Sequence, residues 1–218
     1  MTVLLEGGCR VATMNEGLPR QEGSLLSLRV LELDPGRSST LRNEDLDEVL
    51  FALNECRIFI DDVAHEVESQ SGVFIPAKKT FRIENCGTLI SVQCPATQAS
   101  PPPIVKLADQ RATPTADRWY RVLIDSEVTQ FVGSIPPGRA PDHFHEYEEV
   151  LFILRGEGRM WTENKSTPIG YGSCIYLPRK QVHCVENTGA GELRLLGVFY
   201  PAGSPAVRYE TGAATQNP

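Results

Sequence analysis

The sequence predicts an all-β chain made of two tandem β units, and three observations carry that prediction. The first is punctuation: 18 Gly and 16 Pro spread through 218 residues favour many turns and short strands over long helices. The second is the shortness of the apolar runs, such as Glu48-Val49-Leu50-Phe51-Ala52-Leu53, which are bounded by turn residues. The third is recurrence at an offset of about 101 to 102 residues. Pro35-Gly36-Arg37 is answered by Pro137-Gly138-Arg139, and Glu48 to Leu53 by Glu149-Val150-Leu151-Phe152-Ile153-Leu154. Ile75-Pro76 with Ile83-Glu84-Asn85 is answered by Leu177-Pro178 with Val185-Glu186-Asn187. Three ordered matches at one spacing mark a duplicated unit.

Taken in order, residues 1 to about 24 show little periodicity and read as an arm with one short strand. Leu25 to Leu33 is a strand, Asp34-Pro35-Gly36 a turn, and Asn43 to Asp47 a loop ahead of the Glu48 run. Arg57 to Asp61 alternates, Gly72 to Ile75 is a strand stopped by Pro76, and Leu89 to Cys94 closes the first unit. His65 falls in a loop on this reading. The segment 98–117, with Pro101-Pro102-Pro103 and many Ser, Thr and Ala, has the composition of a connector. The expected organisation is therefore 1–97 for the first unit with its arm, 98–117 for the linker, and 118–218 for the second unit with a surface tail.

Composition narrows the function. A net charge of −7, with no Lys/Arg cluster, argues against nucleic acid as a partner. No apolar run approaches the roughly 20 residues of a membrane span, and the Met1-Thr2-Val3-Leu4-Leu5-Glu6 start lacks the pattern of a signal peptide. A cytoplasmic location is expected. Six irregularly spaced cysteines without a C-x-x-C pair then read as reduced, mostly buried small residues.

The chemistry concentrates in the second unit. His143 and His145 stand two residues apart and share one face of an extended segment, with Phe144 on the other. After a bend at Glu146 to Glu148, where Tyr147 and Glu148 are expected to face solvent, alternation puts Glu149, Leu151 and Ile153 on a common face. His183 shares a face with Val185 and Asn187 on a later strand, and Cys184 points the other way. Three imidazoles and a carboxylate suit Mn, Fe, Co, Ni, Cu or Zn, and leave one or two positions open on a five- or six-coordinate ion. A structural zinc site would favour thiolates and close the tetrahedron.

The run Gly138-x4-His143-x-His145-x3-Glu149-x6-Gly156, followed by Gly172-x5-Pro178-x4-His183-x3-Asn187, resembles the two signature motifs of the cupin superfamily. The repeat makes the whole chain similar to a bicupin. The resemblance implies two tandem cupin (double-stranded β-helix, jelly-roll) barrels. It also implies a metal site in the C-terminal barrel only, held by His143, His145, Glu149 and His183, one divalent transition metal per chain, and a homodimer. Two departures stand out: the first gap holds four residues where the family pattern has five, and Lys180 occupies a usual glycine position. In the first unit, alignment on Gly36 puts Arg42, Glu44, Glu48 and Phe81 at the ligand positions, a set unfit for a metal. A structural or dimer-forming role is expected there instead.

Phe131, Arg159, Trp161, Tyr176 and Arg194 lie on strands near the site and are candidates to contact a small-molecule ligand, with packing on an outer face as the equal alternative for each. Gly156-Glu157-Gly158 reads as a hairpin turn, since no helix follows it. The function implied is a metal-dependent enzyme acting on a small anionic or enolisable molecule, by dioxygenase-, decarboxylase- or lyase/isomerase-type chemistry, with dioxygenase chemistry first among these. The alternatives are a non-catalytic binding or sensing protein and a ureide aminohydrolase-like bicupin.

Overall fold

The structure, a computed structural model, describes residues 2–13, 19–33, 36, 38, 40–85, 87–115, 118–206, 208–210 and 213–215. Asp34 and Pro35 of the predicted first turn, and Cys86, lie outside the described residues. The first half runs through β1 (Thr2–Leu4), β2 (Arg10–Ala12), β3 (Arg20–Glu22), β4 (Ser27–Glu32), β5 (Leu41–Arg42), β6 (Leu46–Ala52), β7 (Cys56–Ile60), β8 (Val63–Val67), β9 (Ser71–Ile75), β10 (Thr80–Glu84), β11 (Thr88–Pro95) and β12 (Ile104–Lys106). The second follows with β13 (Thr113–Thr115), β14 (Arg118–Asp125), β15 (Thr129–Ile135), β16 (Gly138–Arg139), β17 (Glu148–Arg155), β18 (Glu157–Thr162), β19 (Lys165–Gly170), β20 (Cys174–Leu177), β21 (Cys184–Asn187) and β22 (Leu193–Tyr200).

These strands make two barrels, each a large sheet folded over a small one. In the first, the sheet β12-β9-β6-β11-β4-β3 faces β5-β10-β7-β8; in the second, β1-β2-β20-β17-β22-β15-β14-β13 faces β16-β21-β18-β19. Every pairing between these strands is antiparallel.

Alternation decides which residues line each barrel. On β17, Leu151 and Ile153 enter the interior of the second barrel with Phe131, Met160, Ile175 and Phe199. Val150 and Phe152 point backwards, where they meet Val49, Phe51, Phe74 and Ile90 of the first barrel. The two large sheets are thus apolar on both faces and pack back to back, while Leu50, Val73, Ile75 and Phe81 fill the first barrel. Burying both faces explains the unbroken apolar runs of β6 and β17.

The strand plan differs from the sequence reading at four places. The N-terminal arm carries three strands, and β2 pairs with β20, Val11 opposite Ile175, so the start of the chain completes the second barrel. Short strands without internal alternation are stabilised by the sheet edge they cover, which periodicity does not reveal. The predicted linker is partly structured: β12 extends the first barrel's sheet by pairing with β9, Leu107 is buried between the barrels, and β13 pairs with β14. Gly156 is not in a hairpin, because β17 and β18 belong to different sheets. It is the corner between them, at φ +87°, where an added Cβ would lie 2.9 Å from the Glu192 carbonyl oxygen. His65 lies on β8 opposite Ile58 rather than in a loop.

Strand register also corrects the alignment of the repeat. His143 bridges His183 as Leu41 pairs with Phe81. The Lys180 amide donates to the His145 carbonyl as the Lys78 amide donates to Asn43. The first-barrel counterparts of the four proposed ligands are therefore Leu41, Asn43, Glu48 and Phe81. Arg42 and Glu44, expected at the two histidine positions, form an exposed ion pair with each other.

Candidate metal centre

His143, His145 and His183 offer ring nitrogens that all lie within 4.8 Å of one another. Their positions follow from the two motif segments. The extended piece after β16 carries His143 and His145 past β21, and the mutual amide–carbonyl hydrogen bonds of His143 and His183, at 3.0 and 2.8 Å, hold the segments together. Two of the rings are oriented by backbone carbonyls. His183 Nδ1 donates to the Gln181 carbonyl at 2.8 Å and His143 Nδ1 to that of Pro141 at 2.9 Å. A carbonyl can only accept, so in both rings the proton sits on Nδ1 and the Nε2 lone pair is left for a ligand.

Glu149 meets these nitrogens from the first inward position of β17. Its Oε2 lies 3.6 Å from Nε2 of His145 and 3.6 Å from Nε2 of His183. That oxygen is buried and has no hydrogen-bond partner among the described residues. Burial pushes the Glu149 carboxyl up to about 8 and His183 down to about 4, so at neutral pH the pair is a carboxylic acid beside a neutral imidazole, not an ion pair. A buried oxygen without a donor is costly, and a cation between these atoms removes the cost. Donors about 2.1 Å from one ion are at most about 4.2 Å apart, so the observed cluster closes on an ion with sub-ångström shifts. The donor set therefore fits a divalent metal.

The first barrel shows what Glu149 would look like if it were structural. Glu48 occupies the same register position, opposite Gln93 as Glu149 is opposite Phe199. It is fully engaged by Arg29 Nη2 at 2.9 Å, Gln93 Nε2 at 2.9 Å and the Ser91 hydroxyl. The second-barrel counterparts of Arg29, Ser91 and Gln93 are Phe131, Gly197 and Phe199, which have no donors to give. Gly197 is required there because a Cβ would lie 2.2 Å from the Phe131 ring. One barrel neutralises its carboxylate with an internal guanidinium, and the other surrounds it with hydrocarbon and histidine.

The centre opens into a cavity of about 90 Å³, roughly three water volumes. Besides the four polar groups, its walls include Arg118, Trp119 and Tyr120 of β14, Phe131, Leu151, Leu195 and Phe199. Of the five proposed ligand contacts only Phe131 lines it. Tyr176 points into the inter-barrel core and donates to Glu148 at 2.9 Å. Trp161 donates to Glu186 at 2.7 Å and stacks under Arg139. Arg159 donates to Ser166, and Arg194 lies over Trp119. The physical reason is parity: their neighbours Met160, Ile175, Leu193 and Leu195 take the inward positions.

Two further expectations are corrected. Tyr147 and Glu148 are buried, not solvent-facing. Glu148 accepts from the Ser24, Leu25 and Leu26 amides at 3.1, 2.9 and 3.0 Å. Tyr147 stacks on His145, with ring centroids 4.8 Å apart. Lys180 keeps the left-handed backbone of the glycine it replaces, at φ +63°, and its Nζ reaches Glu146 at 3.4 Å on the rim. Cys184 faces away from the centre as alternation requires, accepting from Arg139 Nε at 3.2 Å, and Cys9, Cys56, Cys94, Cys174 and Cys184 are all buried.

Sequence reasoning missed Arg118 and Tyr120, which carry the pattern Arg-x-Tyr-x-Val ahead of Phe131. The signal was present as period-2 alternation, but it abuts the Pro-rich segment and looks like the end of a connector.

Comparison with known proteins places this arrangement. The model of the cupin domain matches residues 131–199, the span from Phe131 to Phe199 that encloses all four proposed ligands. An uncharacterized protein of Methanocaldococcus jannaschii is 39% identical over 54 residues, 25% of this chain and 43% of that one. The oxalate-binding protein of Thermotoga maritima is 38% identical over 67 residues, 30% of this chain and 55% of that one. The chain thus spans about half the length of these curated relatives. Among solved structures, the Lactobacillus farciminis oxalate decarboxylase formate complex superposes with a TM-score of 0.71 at 14% identity, covering 94% of this chain and 85% of that one. A putative glyoxylate-induced protein of Pseudomonas aeruginosa gives 0.71 at 16% identity, covering 93% and 85%. Identities this low speak for the fold alone, and they extend it over both barrels. Residues 131–199 thus match a cupin domain, the fold of both barrels is that of the two-barrel neighbours, and the three-histidine cluster lies in the second barrel.

Proposed function

We propose that His143, His145, Glu149 and His183 hold one divalent transition metal, and that the protein acts there on a small carboxylic acid. The observation that carries this reading is the buried Oε2 of Glu149, flanked at 3.6 Å by two imidazole nitrogens and without a hydrogen-bond donor. When bound, the ion would supply Lewis acidity toward a carboxylate or keto oxygen. The chain's own residues set the rest. Phe131, Leu151 and Phe199 exclude water from the ligand, the Pro141 and Gln181 carbonyls fix two rings, and the small cavity limits the acid to a few carbons.

The relatives support an acid of the oxalate or glyoxylate type, since an oxalate-binding protein, oxalate decarboxylases and a glyoxylate-induced protein are among them. Those decarboxylases include one studied for its Mn(II) centres, which favours manganese. Carbon–carbon cleavage of such an acid therefore ranks ahead of dioxygenation. Binding without turnover is the second reading, favoured by the 38% identity to the oxalate-binding protein.

Metal analysis of the purified protein, followed by assays of carbon dioxide release and oxygen uptake with oxalate, glyoxylate and small keto acids, tests both. Metal at one equivalent, abolished in His143→Ala, is the expected result. A protein that takes up no divalent metal refutes the reading, and metal-dependent oxalate binding without product selects the binding protein.

A further inference from the structure

The N-terminal arm reaches the second barrel as a hairpin, β1 against β2, with the short helical turn Glu6–Gly8 between them. β2 joins the large sheet at β20. The turn is tied to the small sheet, because the Glu6 amide donates to the Thr162 hydroxyl at 3.1 Å and the Glu6 carboxylate meets Lys165 Nζ at 3.3 Å. Leu5 and Cys9, on either side of the turn, belong to the interior core with Leu177 and Tyr147. An arm anchored to both sheets holds its turn firmly against the loop that joins β20 to β21.

That loop leads to His183, and the turn meets it at two glycines. A Cβ added at Gly8 would lie 3.4 Å from Pro178 Cγ, whereas one added at Gly7 would fall 1.3 Å from Gln181 Oε1 and 2.3 Å from its Cδ. Gln181 has little room to yield. It is buried, and both of its ends are tied to the run toward His183: its backbone carbonyl accepts from His183 Nδ1 at 2.8 Å, and its Nε2 donates to the Val182 carbonyl at 2.9 Å. Displacing this side chain therefore moves the carbonyl that keeps the imidazole proton on Nδ1 and turns the Nε2 lone pair toward the cluster.

We infer that Gly7 positions His183 for the metal, acting through Gln181, so that the N-terminal turn sets how tightly the ion is held. This rests on the metal reading above. Gly7 is a positioning residue, and its bare Cα is what lets the turn and the second motif close on each other.

The test uses the full chain with Co(II), whose visible bands report the geometry of its ligands. Affinity is measured by competition with a chelator, and folding by thermal melting. Gly8→Ala is the control, since it puts a methyl on a left-handed backbone, φ +89° against +64° at Gly7, without entering Gln181. Gly7→Ala should bind Co(II) about tenfold more weakly than Gly8→Ala, the scale of a disturbed orienting partner, and should shift the Co(II) bands. Gln181→Ala removes the crowded atoms and keeps the carbonyl, so in that background Gly7→Ala should change affinity by less than about threefold. Equal weakening in Gly7→Ala and Gly8→Ala, or an equal loss with and without the Gln181 side chain, overturns the assignment. Should Gly7→Ala not fold, Thr162→Val loosens the turn without adding an atom at Gln181: weaker Co(II) binding with shifted bands supports the assignment, and unchanged binding overturns it. Failure of the wild type to bind Co(II) refutes the metal reading, and is read from that sample alone.

Discussion

With the metal stripped by a chelator, Glu149 and His183 pull the pH dependence of stability in opposite directions. The Glu149 pKa is raised from 4.5 to about 8. Above pH 4.5 the unfolded chain releases a proton that the folded protein keeps, and folding loses about 1.4 kcal/mol per pH unit until about 8. The His183 pKa is lowered from 6.5 to about 4, so its contribution is complete above 6.5 and is lost as pH falls toward 4. The two slopes cancel between 4.5 and 6.5. The Tm of metal-free protein, taken relative to Glu149→Gln, should fall from pH 6.5 to 8, and metal should abolish that fall by keeping the carboxylate ionised. A metal-free Tm difference that is flat from 6.5 to 8 would contradict it. One residue earlier, Glu148 has a purely architectural task, collecting three amides and the Tyr176 hydroxyl. Glu148→Ala strands those donors in the interior and should cost about 3 kcal/mol by denaturant titration, without altering metal content.

At the scale of elements, what alternation controls was legible and what edges control was not. The apolar runs of β6, β9, β11 and β17 were visible, as was the duplication, because strands buried on both faces keep a continuous apolar signature whatever else changes. The approach of His143 and His145 to each other was legible because histidines at i and i+2 share one face of an extended chain. The ligand-facing wall was not. Arg159, Trp161, Tyr176 and Arg194 sit one residue out of phase with Met160, Ile175 and Leu195, and one step of phase exchanges inside for outside. Counting inward from Ile153 and Leu195 would have excluded Arg194, and counting from Phe131 back across the β14–β15 hairpin would have reached Tyr120. The strands β1, β2, β12 and β13 were illegible for another reason. Each has three residues, too few to show a period, and each is held by the neighbour it caps.

At the scale of the whole molecule, the two barrels have divided one ancestral problem, a carboxylate at the start of a buried strand. Glu48 is 3% exposed in its side chain and Arg29 Nη2 lies 2.9 Å away, so a guanidinium is the positive partner of this carboxylate. Arg29→Met should therefore cost about 3 kcal/mol by leaving a buried carboxylate short of its cation, while the second barrel's metal content stays the same. A variant that lost metal in step with stability would tie the two centres together. The pairing of Val11 with Ile175 has a consequence in time rather than in space. As the chain is synthesised, β2 leaves the ribosome more than a hundred and fifty residues ahead of the strand it must join. The nascent first half therefore waits with a ribbon that has no sheet to enter, and β20, next to the second motif, gains its outer neighbour only from the oldest part of the polypeptide. The sheet that carries Glu149 is thereby completed late, by the return of the N-terminal strand.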